Sequence, residues 1–209
     1  MVNRLSYIIL YPFSSLIALM HSIITKGANR LMKVFFLKQF CEIGKGFQFT
    51  PINSHLTYKK IKIGNNVFIN NSADFRGEIS IGNNVMFGPY VYITAGRHEF
   101  EQVGKLINQQ GEAGVQAVII EDDCWIGARA FISRGVIIGE GTVVGAMSVV
   151  TKSLPPYTIC VGNPCKPIKK RYSDEELLVH KKTLGYSTEH AQAMLERRQQ
   201  QMQEWHIEG

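Results

Sequence analysis

A parallel β-helix is the fold class this sequence predicts: an all-β core of hexapeptide repeats with an N-terminal helical segment and C-terminal helices. Two observations predict it. Large apolar residues recur every six positions at Ile63, Ile69, Phe75, Ile81, Phe87 and Ile93, and again at Ile120, Ile126, Ile132, Ile138, Val144 and Val150. Four places after the large residue come smaller or β-branched ones: Val67, Ala73, Ile79, Val85 and Val91 in the first run, then Cys124, Ala130, Val136, Thr142, Ser148 and Leu154.

A period of six cannot be a helix stripe, because about 3.6 residues per turn never bring it back to one face. It suits short strands joined by tight corners, with the large residue pointing inward. Gly64, Gly82 and Gly88 follow the large residue with asparagines beside them, and glycine or asparagine is expected to take the turn conformation. Three hexads, about 18 residues, close one triangular coil. Coils stack at roughly 4.8 Å, so backbone hydrogen bonds run along the axis around a column of isoleucine and valine. Residues 63–98 make two coils, 120–155 make two more, and "CEIGKGFQFT" makes a less regular partial coil before them. Open ends of such a stack need caps.

The chain divides into an apolar and basic helical segment, 1–40, the β-helix, 41–171, and a helical tail, 172–209. Residues 5–25 carry no formal charge, but Pro12, His21 and four serines dilute them, and no small-residue cleavage pattern follows. Packing on the main domain, peripheral contact with a membrane and a true span all remain open for this segment. In the tail, Ser173 and Glu176 form a capping box for a helix that Gly185 ends, and a second helix starts at Ser187 or Thr188.

The 209 residues carry a net charge of +6 and ordinary apolar content, which excludes wholesale disorder and a multi-span membrane protein. Basic residues crowd 26–38 and 166–171, with Arg197 and Arg198 further on. Either region suits a phosphate or an anionic surface, or is simply a solvated basic face. Cys41, Cys124, Cys160 and Cys165 show no CxxC pair, so free thiols and a cytoplasmic location are expected, with association at the inner face of the cytoplasmic membrane left open.

The repeat breaks after "VYITAGRH", where Arg97 replaces an inward apolar residue and His98 ends the hexad. An insertion of about 99–119 follows, with three glycines and several glutamines. Long loops in compact folds are usually functional or disordered.

"IGNNVFI", "IGNNVMFGP", "DDCWIGARAFI" and "GVIIGEGTVVGAMSVVTKSLPPYTICVGNPCKPI" resemble the left-handed β-helix, hexapeptide-repeat acyltransferases, in particular the sugar and polysaccharide O-acetyltransferase branch. The resemblance covers about 61–171 and implies left-handed winding, a homotrimer with active sites between subunits, and direct acetyl transfer from acetyl-CoA to a saccharide. Neither a metal nor nucleic acid is among the expected partners. A hydroxyl is almost wholly protonated near neutrality, so such transfer needs a positioned base. The family's catalytic histidine lies seventeen residues after the isoleucine that opens its coil, and His98 stands so after Ile81. His21, His55, His180, His190 and His206 have no such register.

The resemblance further implies that Asn70, or alternatively Asn71, contacts the acceptor, although asparagine is also a good turn residue. It places Ala128, Ala146, Thr151 and Lys152 along the acetyl-CoA groove, and Lys166 and Lys169 toward its phosphates, with Trp125 beside the groove. Lysine acts there as a point charge, without the bidentate contacts of the arginine some relatives carry. The insertion is expected to wall a neighbouring subunit's pocket. The alternatives are an N-acetyltransferase on an amino-sugar nucleotide or xenobiotic with the same base and groove, a metal-dependent hydratase, and a non-catalytic scaffold. The hydratase would need three histidines, and the repeat region supplies only His55 and His98.

Overall fold

The structure is a computed structural model that describes residues 35–51 and 53–205, with positions 19, 20, 23, 24, 27, 28 and 31 before them. The expected N-terminal helical segment lies largely outside the described residues, though 35–37 at its end are helical.

The repeat region winds as a left-handed parallel β-helix with three flat faces. Face A stacks Glu42–Ile43, Ile61–Ile63, Ile79–Ile81, Val118–Ile120 and Ile137–Ile138. Face B stacks Gln48–Phe49, Phe68–Ile69, Met86–Phe87, Trp125–Ile126, Val143–Val144 and Thr158–Val161. Face C stacks His55–Leu56, Asp74–Arg76, Tyr92–Thr94, Phe131–Ile132 and Val149–Val150. Equivalent residues pair from coil to coil, as in Ile61 with Ile79 and Ile79 with Val118.

All twelve large hexad residues are at most 3% exposed, and the eleven that follow four places on are at most 2% exposed. Each buried aliphatic side chain contributes about 1.5–3 kcal/mol, so this column supplies most of the driving force.

Two expectations need correction. The segment before Ile63 is a complete three-sided coil, not a partial one. Its spacing to the next coil is 20 residues on faces A and B and 19 on face C where the following coil keeps 18, which hides it from a count by sixes. Second, of the glycines and asparagines expected to take the corner conformation, Gly64, Gly82 and Gly88 do not; positive φ falls to Asn66, Asn84, Asp123 and Gly141 on one edge and to Ser72, Tyr90, Arg129 and Met147 on another. These glycines serve close stacking. A Cβ on Gly64 would sit 2.6 Å from the Gly82 backbone, and one on Gly88 would sit 2.6 Å from the Ala128 nitrogen. The asparagines beside them form a ladder, Lys45 N donating to Asn65, Asn65 N to Asn83, and Asn83 N to Asp122, each at 2.8 Å.

Both ends are covered. Phe40 packs edge-on against Phe47, Phe49 and Tyr58 over the first coil. At the other end Lys166–Lys170 turns back antiparallel on Thr158–Val161 and ends parallel growth of face B. Helix α1, Asp174–Thr183, has the Ser173–Glu176 capping box, and Gly185 follows it at φ 85°. Helix α2, Thr188–Glu204, is capped by Ser187. Arg197 pairs with Glu121 through two bonds of 2.8 and 2.9 Å, which ties α2 to the coils.

Candidate active site

Face C and the corners at its two edges carry the chemistry-bearing residues. The edge it shares with face B repeats a small-residue corner: Asn70–Asn71, Gly88–Pro89, Gly127–Ala128 and Gly145–Ala146. Backbone bonds fix the stack, with Tyr90 N donating to Asn71 O, Arg129 N to Pro89 O and Met147 N to Ala128 O. Among the described residues the amide N–H groups of Ala128 and Ala146 have no partner within the chain. Backbone donors at an accessible edge must find water or a ligand, and small side chains leave them reachable. Lys166, paired with Val161, lies at the end of this same line. Lys169, opposite Ile159, lies further across face B.

Asn70 is partly committed to its turn, since its Oδ1 accepts the Asn71 N–H at 2.8 Å. Its side-chain NH2 has no partner among the described residues. Asn71 is the residue in line with Pro89, Ala128 and Ala146.

His98 lies at the opposite edge of face C, exposed and bridged antiparallel to Glu112. Glu99 N donates to Gly111 O at 2.9 Å and Ala113 N to Arg97 O at 3.0 Å, so the insertion leaves and returns as a hairpin base. The chain rejoins face A at Val118–Ile120. Because Asn83 meets Asp122 across 39 positions where a regular coil has 18, the excursion holds 21 extra residues. Its tip displays Phe100, Val103, Leu106 and Ile107, all more than half exposed.

His98 borders two depressions. One, of about 640 Å³, runs over face C past Arg76, Tyr92, Thr94, Arg97, Glu112 and Phe131 to Lys60. The other, of about 810 Å³, lies under the loop with Lys105, Leu106, Ile107, Asn108 and Gly111. The floor of the first is built from side chains packed on one another. Tyr92 stacks on Phe131 at 5.4 Å, Arg76 lies over the Tyr92 ring at 5.5 Å, and Asp74 holds Arg76 through two bonds of 2.8 Å. Arg76, Tyr92, Phe131 and Glu112 escaped the sequence reading. The signal for the first three was their outward place beside the inward residues of the hexads.

Thr151 and Lys152 follow Val149–Val150 and fall on the His98 edge of face C, both exposed. Ala128 and Ala146 fall on the other edge. Crossing the face takes about five residues at ~3.3 Å each, so the two edges of one chain are on the order of 15 Å apart. One chain therefore does not bring His98 together with the alanine edge. Trp125 lies on face B, 52% exposed, in register with Met86 and Val143.

No group of His, Cys, Asp and Glu suited to a metal occurs among the described residues. The buried thiols are poor nucleophiles, since burial pushes Cys160 up to about 12 and Cys165 up to about 11, and Cys124 is raised further.

Hexads wound into a three-sided parallel β-helix are the architecture of the hexapeptide-repeat class. The family description "Bacterial transferase hexapeptide (six repeats)" matches residues 60–95 and 117–152. The chain is 33% identical over 147 residues to the putative colanic acid biosynthesis acetyltransferase WcaF of Escherichia coli K12, covering 68% of this chain and 77% of that one. A maltose O-acetyltransferase structure from Clostridium difficile 630 aligns at TM-score 0.61 with 38% identity, over 66% of this chain and 73% of that one. A hexapeptide-repeat acetyltransferase of Vibrio cholerae O1 biovar eltor, solved with acetyl coenzyme A, aligns at 0.60 with 29% identity, over 68% and 76%. The putative acetyltransferase C18B11.09c of Schizosaccharomyces pombe is 42% identical over 112 residues, so the chain spans about half the length of that curated relative, 53%. This chain belongs to the hexapeptide-repeat acyltransferases.

Proposed function

We propose that this chain is an acetyl-CoA-dependent O-acetyltransferase acting on a saccharide hydroxyl, the acceptor being a bacterial surface polysaccharide or its lipid-linked precursor. The observation that carries it is the position of His98: exposed at the end of a coil, at the base of the loop, bordering both depressions. Acetyl-CoA, the donor substrate, supplies an activated thioester. The unpartnered Ala128 and Ala146 amides fit the carbonyl groups of its pantetheine arm, and Lys166, on the same line, fits a phosphate. Lys169, Thr151 and Lys152 extend the donor groove across the subunit boundary.

His98 accepts the proton of the acceptor hydroxyl as its oxygen attacks the thioester carbonyl carbon. The carbon–sulfur bond breaks, the acetyl ester forms, and His98 returns the proton to the departing thiolate. The aromatic floor of Tyr92 and Phe131 suits a sugar ring, whose apolar C–H face stacks on aromatic carbon. Asn70, with Asn71 beside it, donates to an acceptor hydroxyl from the neighbouring subunit's edge. A homotrimer satisfies the geometry, because it sets the His98 edge of one chain against the alanine edge of the next. The apolar tip of the loop then covers the pocket of that neighbour and excludes water.

Acceptor profiling tests the reading. Purified protein, acetyl-CoA and a panel of oligosaccharides, amino sugars and amino-sugar nucleotides are incubated and the products mapped by mass spectrometry. Acetyl esters on sugar hydroxyls are expected. Acetyl found only on amines assigns the chain to N-transfer instead.

A further inference from the structure

Residues 1–62 hold nine of the 23 Lys and Arg and one of the 17 Asp and Glu, a formal +8, so residues 63–209 carry −2. The net positive charge of this protein thus belongs entirely to its first 62 residues. On the first coil and its cap, Lys38, Lys45, Lys59, Lys60 and Lys62 are all exposed, and Glu42, 3.8 Å from Lys62, is the one carboxylate among residues 35–62. Lys59, Lys60 and Lys62 line a depression of about 440 Å³ on face A together with Cys41 and Glu78. Immediately before this coil, the described positions Leu19, Met20, Ile23, Ile24, Leu31 and Phe35 are 54–78% exposed and recur at helical spacing. Among the described residues no helix is long and apolar enough to cross a membrane.

We infer that the first-coil end of the β-helix docks on an anionic phospholipid bilayer, with the apolar stripe entering the headgroup boundary and the lysines contacting lipid phosphates. Apolar residues and lysines side by side fit that interface, whose potential attracts each lysine near the surface. A second copy of the same end is the poorer occupant, because it would set +8 against +8. The docked orientation has a consequence for the site. His98 ends the third coil, so it stands two coil spacings, roughly 10 Å, above the first. Lys60 borders both the face A depression and the one that reaches His98, so the two lie on either side of one side chain between the first-coil end and the base. A lipid-linked saccharide would reach His98 without leaving the membrane. That last consequence rests on the acetyl-transfer reading; the docking rests on charge and exposure alone.

Flotation of the full chain with phosphatidylcholine vesicles, with and without phosphatidylglycerol, tests it. Binding is expected only with phosphatidylglycerol and is expected to weaken as salt rises. The triple variant Lys38→Gln, Lys45→Gln, Lys59→Gln should lose about 100-fold in vesicle affinity, while acetylation of a soluble acceptor stays unchanged. The double variant Leu31→Asp, Phe35→Asp should lose vesicle binding as well. Binding that phosphatidylglycerol does not increase, or a triple variant that binds as well as the parent, overturns the proposal. It also fails if the double variant breaks up an oligomer and leaves vesicle binding intact, since a second copy then covers the stripe. Vesicle binding is read without turnover, so its failure would leave the acetyl-transfer reading standing.

Discussion

His98 and Glu112 face each other across an antiparallel bridge that closes the base of the inserted loop. The bonds flanking it, Glu99 N to Gly111 O and Ala113 N to Arg97 O, anchor the loop at its base, and Arg134 donates to Gly114 O at 2.9 Å. Its tip adds nothing to the β-helix core. Replacing 101–110 by a short glycine turn should therefore leave the thermal midpoint within a few degrees and raise the acceptor KM at least about tenfold, with little change in the KM for acetyl-CoA. Steady-state kinetics beside a thermal scan checks this. An unchanged acceptor KM removes the loop from the acceptor site.

Ala146 is exposed at a corner whose amide has no partner. Ala146→Trp fills the approach to that amide without touching the core. The expected outcome is an acetyl-CoA KM raised by about tenfold or more, with kcat at saturating donor and the melting temperature near those of the parent. Equal donor KM values would take the alanine edge out of the groove.

Cys124, Cys160 and Cys165 are buried, with their thiols held in the protonated form. Direct transfer has no use for them. Single Cys→Ala variants should keep kcat within about twofold while losing stability of roughly 1 kcal/mol each for the lost packing. A cysteine variant that abolishes turnover and retains its fold would point to an acyl-enzyme.

The C-terminal helices are held by a buried charge. The Lys181 ammonium, 0% exposed, donates to Glu140, and the Tyr157 hydroxyl donates to the same carboxylate at 2.8 Å. Burial first, and then Glu140, push the Tyr157 phenol up, so it stays a donor. Glu140→Ala strands the ammonium and should cost about 3–5 kcal/mol, read by chemical denaturation. The double variant Glu140→Leu, Lys181→Met should recover most of that loss. A small loss in the single variant would show that α1 detaches without cost to the coils.

The core was legible because each coil repeats one burial requirement every six residues, and Ile63 through Val150 meet it with few exceptions. The first coil was not, because single extra residues in two of its corners put it out of step with the count. The stacking role of Gly64, Gly82 and Gly88 was equally hidden, since glycine at a corner reads the same whether it supplies positive φ or close approach. At the candidate site, the place of His98 at the end of its coil was legible from the break in the repeat behind it. Arg76, Tyr92 and Phe131 were not, because outward positions of a hexad carry no pattern of their own. The placement of Ala128 and Thr151 on opposite edges of one face emerges only when the coil is closed into three sides.

The most direct measurement is the turnover of His98→Ala. Its side chain is exposed and supports no part of the core, so fold and acetyl-CoA binding should survive the change. The account predicts kcat lower by about 10²–10⁴ with the melting temperature and donor affinity unchanged. Turnover equal to that of the parent protein would contradict it and remove His98 from the mechanism.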